Sequence, residues 1–145
     1  RLTDERLNHW LPAFLHGGEA GLNSGFKGAQ VTATALLAEM RATGPAAIHS
    51  ISTNGANQDV VSLGTIAARL AAGKLRTLTE IHAILALCVA QAMEHRGGAA
   101  CEGFSPAALA LHAVVRRISP PLAADRPLAE EIAAMTEAIA AASPP

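Results

Sequence analysis

Side-chain amides and hydroxyls crowd one short stretch of an otherwise apolar chain: Ser52-Thr53-Asn54-Gly55-Ala56-Asn57-Gln58-Asp59. Amides bind and orient a ligand by donating and accepting hydrogen bonds, and they carry no charge at any ordinary pH. Such a cluster is either a cap network, the reading that composition favours, or a binding surface, because a buried amide without partners costs free energy. The other chemistry-bearing residues are less promising. Gly17, Gly18, Gly21, Gly25 and Gly28 suggest a phosphate loop, but Phe26-Lys27-Gly28 supplies no Gly-Lys-Ser or Gly-Lys-Thr ending and no strand precedes it. A tight loop leading into a helix accounts for these glycines better. His9, His16, His49, His82, His95 and His112 are scattered, and none pairs with another at the spacing a zinc site needs, so no metal is expected. His82, inside an apolar helix, is expected to be a satisfied core histidine. Ser62 lacks a nucleophile-elbow sequence. Asp4-Glu5 and Glu130-Glu131 sit where the helix dipole favours carboxylates.

The elements that must position the amide cluster are helical. Of 145 residues, 50% are hydrophobic, 16% charged and 3% aromatic, with no tyrosine. Ala and Leu dominate, and both favour helix. The formal net charge of −1 and scarce aromatic platforms argue against nucleic acid as a partner. Six helices are expected: a short one from Thr3 to Leu11, then 28–42, 57–72 closing at Gly73, 75–96, one opening at Ser105-Pro106, and one from about Pro127 towards Pro144-Pro145. Leu78, Ile81, Leu85, Cys88, Val89, Ala92 and Met93 form an apolar stripe on the fourth, and Ile84, Ala86, Leu87 and Ala90 make its other side apolar too. A helix of that kind is buried on several sides. Its uncharged run, Ile81 to Met93, is well short of the roughly 20 residues of a membrane span, so no membrane partner is expected. The fold class is all-α, a bundle of about six helices with more apolar surface than the chain can cover, which predicts packing against other chains or further polypeptide. Cys88 and Cys101 form no disulfide framework, and a buried, reduced Cys88 fits a cytoplasmic location. Arg1 in place of a methionine predicts that the natural N-terminus is missing.

Two stretches resemble the aromatic amino-acid ammonia-lyases and aminomutases, enzymes that use a methylidene-imidazolone electrophile. They are Gly21-Leu22-Asn23-Ser24-Gly25-Phe26 with Ala29-Gln30-Val31-Thr32-Ala33, and Ser52 through Gly64. The resemblance spans nearly the whole chain and is most specific from Gly17 to Arg69. It implies that residues 1–145 are the C-terminal helical part of such an enzyme, with the N-terminal catalytic part absent. The electrophile forms in that family from an Ala-Ser-Gly triplet, a tyrosine takes the β-proton, and sites are shared between subunits of a homotetramer. This chain holds neither triplet nor tyrosine, so it is expected to be inactive alone. By the same resemblance Asn57 and Gln58, with Asn54, bind the aromatic amino-acid substrate near the electrophile. Glutamine at 58 matches tyrosine and phenylalanine lyases, whereas histidine lyases usually carry glutamate there. A histidine lyase, an aminomutase, or a helical oligomerisation module without catalysis are the alternatives. Lys27 departs from the family pattern, which has methionine or another apolar residue there; a buried ammonium would need a partner.

Overall fold

The computed structural model describes residues 1–58, 60–100 and 102–142. Four α-helices carry the described residues: α1 (Lys27–Ala42), α2 (Gly64–Glu94), α3 (Pro106–Ile118) and α4 (Ala129–Ala142), with single 3-10 turns at Ala13–Leu15, Ala46–His49 and Gly98–Ala100. No strand occurs among them, only two isolated bridges. The all-α class is as expected; the helix count is four, not about six.

Two local effects account for the difference. The segment from Thr3 to Leu11 is a series of turns, because the Asp4 carboxylate accepts from the Arg6 backbone N–H (3.0 Å) and holds its guanidinium (2.8 Å). Its backbone bonds run three residues apart (Leu7 N to Asp4 O, Asn8 N to Glu5 O), so the chain turns without continuing as α-helix. Further on, the expected breaks at Asn57 and Gly73 are absent or displaced. The helix begins at Gly64 and runs through Gly73 for 31 residues. A glycine in a helix costs only about 1 kcal/mol relative to alanine, and good helix formers flank this one. Lys74 adds a tie, its Nζ donating to the last-turn region of α1 at Thr43 O (3.0 Å).

Helix α2 is the spine, and it contacts every other α-helix. Ala83, Ile84, Leu87, Cys88 and Ala90 form the core with Leu15, Phe26, Val115, Leu122 and Met135. The C-terminal half of α2 is thus buried on several sides, as its composition implies, although Leu85 and His82 face outward. His82 is therefore not a core histidine: it lies one residue off the buried face that Ala83, Ile84 and Leu87 define. Burial pushes the free Cys88 thiol up to about 12; Cys101 and Pro144-Pro145 lie outside the described residues. By length and composition α2 could cross a membrane, a test that a buried core helix also meets, and Arg69, Lys74, Arg76 and Glu80 interrupt its first half.

A buried polar seam runs along the core. Gln91, 2% exposed, uses its whole amide. Nε2 donates to Leu122 O (3.2 Å) and Leu15 O (3.5 Å), and Oε1 accepts from Leu122 N (3.0 Å) and Arg116 Nη2 (3.4 Å). Beside it Glu94 Oε1 meets His112 Nε2 (2.7 Å) and Arg116 Nε (2.9 Å). Glu131 takes Arg126 at 2.7 Å and the hydroxyl of Ser119. Helix α3 starts as expected, with Ser105 Oγ accepting from Ala108 N and Pro106 in the first turn.

Burial raises both the Glu94 and the Glu131 carboxyl, but the hydrogen bonds and positive charge of their partners outweigh it and leave each below the ordinary value of 4.5. A depressed carboxyl contributes stability that is present above its unfolded value and is lost as pH falls through the folded one. Denaturant unfolding should therefore show stability declining as pH drops below 4.5, with a shallower decline in Glu94→Gln. Equal slopes for the two proteins would show that the Glu94 cluster adds nothing.

Candidate functional site

The amide-rich segment folds into a tight hairpin-like loop ahead of α2. Thr53 and Gln58 form an antiparallel bridge through two backbone bonds, Thr53 N to Gln58 O (3.1 Å) and Gln58 N to Thr53 O (3.3 Å). Between them Asn54, Gly55 and Ala56 all have positive φ, of 58°, 62° and 65°. Asn-Gly is a strong hairpin-turn signal, and asparagine and glycine enter this conformation readily. Alanine does not, and its strained backbone is held by the closing bridge. Ser50 Oγ accepts from Val61 N (2.8 Å) and closes the base of the loop.

The three expected site residues, Asn54, Asn57 and Gln58, share this one loop and are all exposed in this chain. Two features differ from expectation. Asn57 and Gln58 lie in the loop rather than in a helix, which starts only at Gly64, so any favour from the helix dipole is weak at that distance. They also do not cap it: Leu63, in the left-handed conformation, precedes the first turn, with no side-chain cap bond. Among the described residues the side chains of Asn54 and Asn57 hydrogen-bond to nothing in the chain, while Gln58 Oε1 accepts from Thr53 Oγ1 (3.4 Å). Asn57 and Gln58 thus do not cap α2, and their amides are exposed. Asp59 lies outside the described residues.

Gln58 also lines a groove of about 470 Å3, whose wall is otherwise mostly apolar, with Ile51, Val61, Leu63 and Ile66, and with His49 nearby. The second stretch, Gly21 to Phe26, sits elsewhere on the chain and is held from the far end of the sequence. Asp125 takes the backbone N–H groups of Ser24 (2.7 Å) and Gly25 (2.9 Å), and Asn23 Oδ1 accepts from Asp125 N (3.1 Å). The tight passage expected of its glycines is present. Gly25 has φ +52°, and a Cβ there would meet Phe14 O at 2.5 Å, while one on Gly17 would collide with Leu122 O. Lys27 is exposed at the start of α1 with its Nζ 5.8 Å from the Phe14 ring centre, so the ammonium needs no buried partner. Asp125 was not legible as the residue that holds this loop; a lone acidic residue between Ala124 and Arg126 carries no signal of a contact a hundred residues away. Among the described residues no three metal-ligating side chains converge.

The sequence model of the family described as aromatic amino acid lyase matches residues 1–117. The chain belongs to the aromatic amino acid lyase family. It is 67% identical over 144 residues to a tyrosine ammonia-lyase of Cereibacter sphaeroides, an alignment that takes in 99% of this chain and 28% of that protein. It is 39% identical over 135 residues to a histidine ammonia-lyase of Koribacter versatilis, covering 92% of this chain and 25% of the relative. The solved tyrosine aminomutase from Streptomyces globisporus superposes with a TM-score of 0.90 at 45% identity, over 97% of this chain and 26% of that one. The chain thus spans about a quarter of the length of the aromatic amino acid lyases it matches, and its helical fold matches theirs.

The strained loop generates a direct test. Ala56→Gly removes the steric cost of the left-handed backbone, on the order of 1–2 kcal/mol, and gives part of it back as unfolded-state entropy. Unfolding free energy should rise by about 0.5 kcal/mol; a loss of similar size would mean that Ala56 is unstrained.

Proposed function

We propose that this chain is the C-terminal part of an aromatic amino-acid ammonia-lyase that converts tyrosine or phenylalanine to the arylacrylate and ammonia. The observation that carries the reading is the Asn54–Gln58 loop: three amides presented together, exposed, with no capping duty. The 67% identity to a tyrosine ammonia-lyase supports it. So does glutamine at 58, which can hydrogen-bond an amino-acid substrate without setting a second carboxylate beside the substrate's own.

A methylidene-imidazolone, supplied by an Ala-Ser-Gly triplet outside this chain, would be the electrophile that activates the amine as leaving group. The residues present fit such a group in the kind of donor they offer: Asn54 and Asn57 have amides with no partner among the described residues, able to hydrogen-bond a carbonyl brought up to the loop. Nothing from Asn54 to Gln58 titrates near neutral pH, so these residues bind and orient, and move no proton. With no tyrosine to act as base, the chain by itself would release no arylacrylate. The exposed Val31, Leu37, Ile48, Ile66, Leu70 and Leu75 favour assembly into a homotetramer or against the rest of the enzyme, since a free chain would leave large apolar patches in water. The reading includes a cytoplasmic location. An aminomutase is the second reading, favoured by the close superposition on tyrosine aminomutase; a β-amino acid rather than an arylacrylate as product would identify it.

In the full-length enzyme Gln58→Glu should lower turnover of tyrosine or phenylalanine about tenfold or more, equivalent to about 1.4 kcal/mol. Asn57→Ala should lose a hydrogen bond worth on the order of 1 kcal/mol. Steady-state kinetics checks both, and two variants that match the parent within about a factor of two would remove this loop from the site.

A further inference from the structure

We infer that Thr53 is the positioning residue for Gln58, tethering the amide that the loop offers to the substrate; this rests on the reading of Gln58 as a substrate-binding residue. Thr53 and Gln58 are directly paired across the antiparallel bridge. Residues opposite each other in such a pair project to the same side, with their Cβ atoms close enough for side chains to interact. The hydroxyl of Thr53 meets Gln58 Oε1 at 3.4 Å, and both residues line the same groove. Among the described residues Asn54 and Asn57 have no such tie, so Gln58 is the amide of the three that another side chain holds there.

The consequence is chemical. A glutamine side chain rotates about three single bonds, and an unheld amide offers oxygen or nitrogen equally well. Tethered to the hydroxyl through Oε1, the amide gives up part of that freedom before a substrate arrives and keeps the two N–H donors of Nε2 to bond it. The β-branched Thr53 is also stiff at χ1, so the hydroxyl is itself held with little entropic cost. The closing bridge needs only the backbone of Thr53, and this separates the role in orientation from the role in folding the loop.

The test is a double-mutant cycle in the full-length enzyme with Thr53→Val, Gln58→Ala and the pair, plus Thr53→Ser. Valine keeps the branched shape and both backbone bonds but removes the hydroxyl; serine keeps the hydroxyl. Thr53→Val should cut kcat/KM for the aromatic amino acid about fivefold, the loss of one hydrogen bond, with an unchanged melting temperature. Thr53→Ser should restore most of it. In a Gln58→Ala background Thr53→Val should cost nothing further, because its only route to the substrate is gone. If Gln58→Ala is harmful but Thr53→Val matches the parent, adds its full loss on top of Gln58→Ala, or is not rescued by serine, the positioning role is overturned while the site stands. If Gln58→Ala is itself silent, the site reading fails and the inference with it.

Discussion

One buried amide ties the fold together. Gln91 lies on a buried helix face whose other residues are apolar, Ala83, Ile84, Leu87, Cys88, Ala90 and Met93 among them, and burying an amide there is unfavourable unless every donor and acceptor is met. All of them are. Its partners are the backbone at Leu15 and Leu122 and the Arg116 guanidinium, so one side chain on α2 fixes the turn before the glycine loop, the end of α3 and the chain leading to α4. Leu15 O is held a second time by His95 Nε2 at 3.3 Å. That matters because Phe14 and Leu15 both have positive φ, a conformation that bulky residues keep only when their surroundings enforce it.

The rest of the polar seam extends the same device. Glu94 links α2 to α3 through His112 and Arg116, Arg116 Nη1 reaches Ser119 O at 2.9 Å, and Glu131 brings in α4 through Ser119 and Arg126. Residues 119–131 lie beyond the family match at residue 117, yet they close the core through Leu122 and hold the Gly21–Phe26 loop through Asp125. The C-terminal half of α2 is consequently tied to the segments on either side of it. Its N-terminal half, which follows the amide loop, is exposed along Ile66 and Leu70. The polar bonds are concentrated where the chain completes its own core.

Much of this was readable from the sequence, for physical reasons that differ by element. Helices α1 and α3 were legible because local signals mark both ends: Gly44-Pro45 after α1, Ser105-Pro106 before α3 and Pro120-Pro121 after it. The single long α2 was not, because glycine weakens a helix without ending it and the stop at Gly73 was inferred from that preference alone. The apolar character of α2 was plain, but the buried face is set by Gln91 and Glu94, whose partners lie far away in sequence. The amide cluster was legible as a cluster. Its placement on a helix was wrong because Asn54-Gly55 directs a turn, and that turn pairs Thr53 with Gln58 instead of starting α2.

The dependence of the fold on Gln91 is open to one direct measurement, the unfolding free energy of Gln91→Leu against the parent. Leucine fits the space but leaves Leu122 N–H and Leu122 C=O buried without their partner, and unsatisfied buried groups cost roughly 1–3 kcal/mol each. A loss of about 3 kcal/mol, together with loosening of both the Leu15 turn and the Leu122 segment in hydrogen exchange, is the predicted result. A variant as stable as the parent, with both segments equally protected, would contradict it.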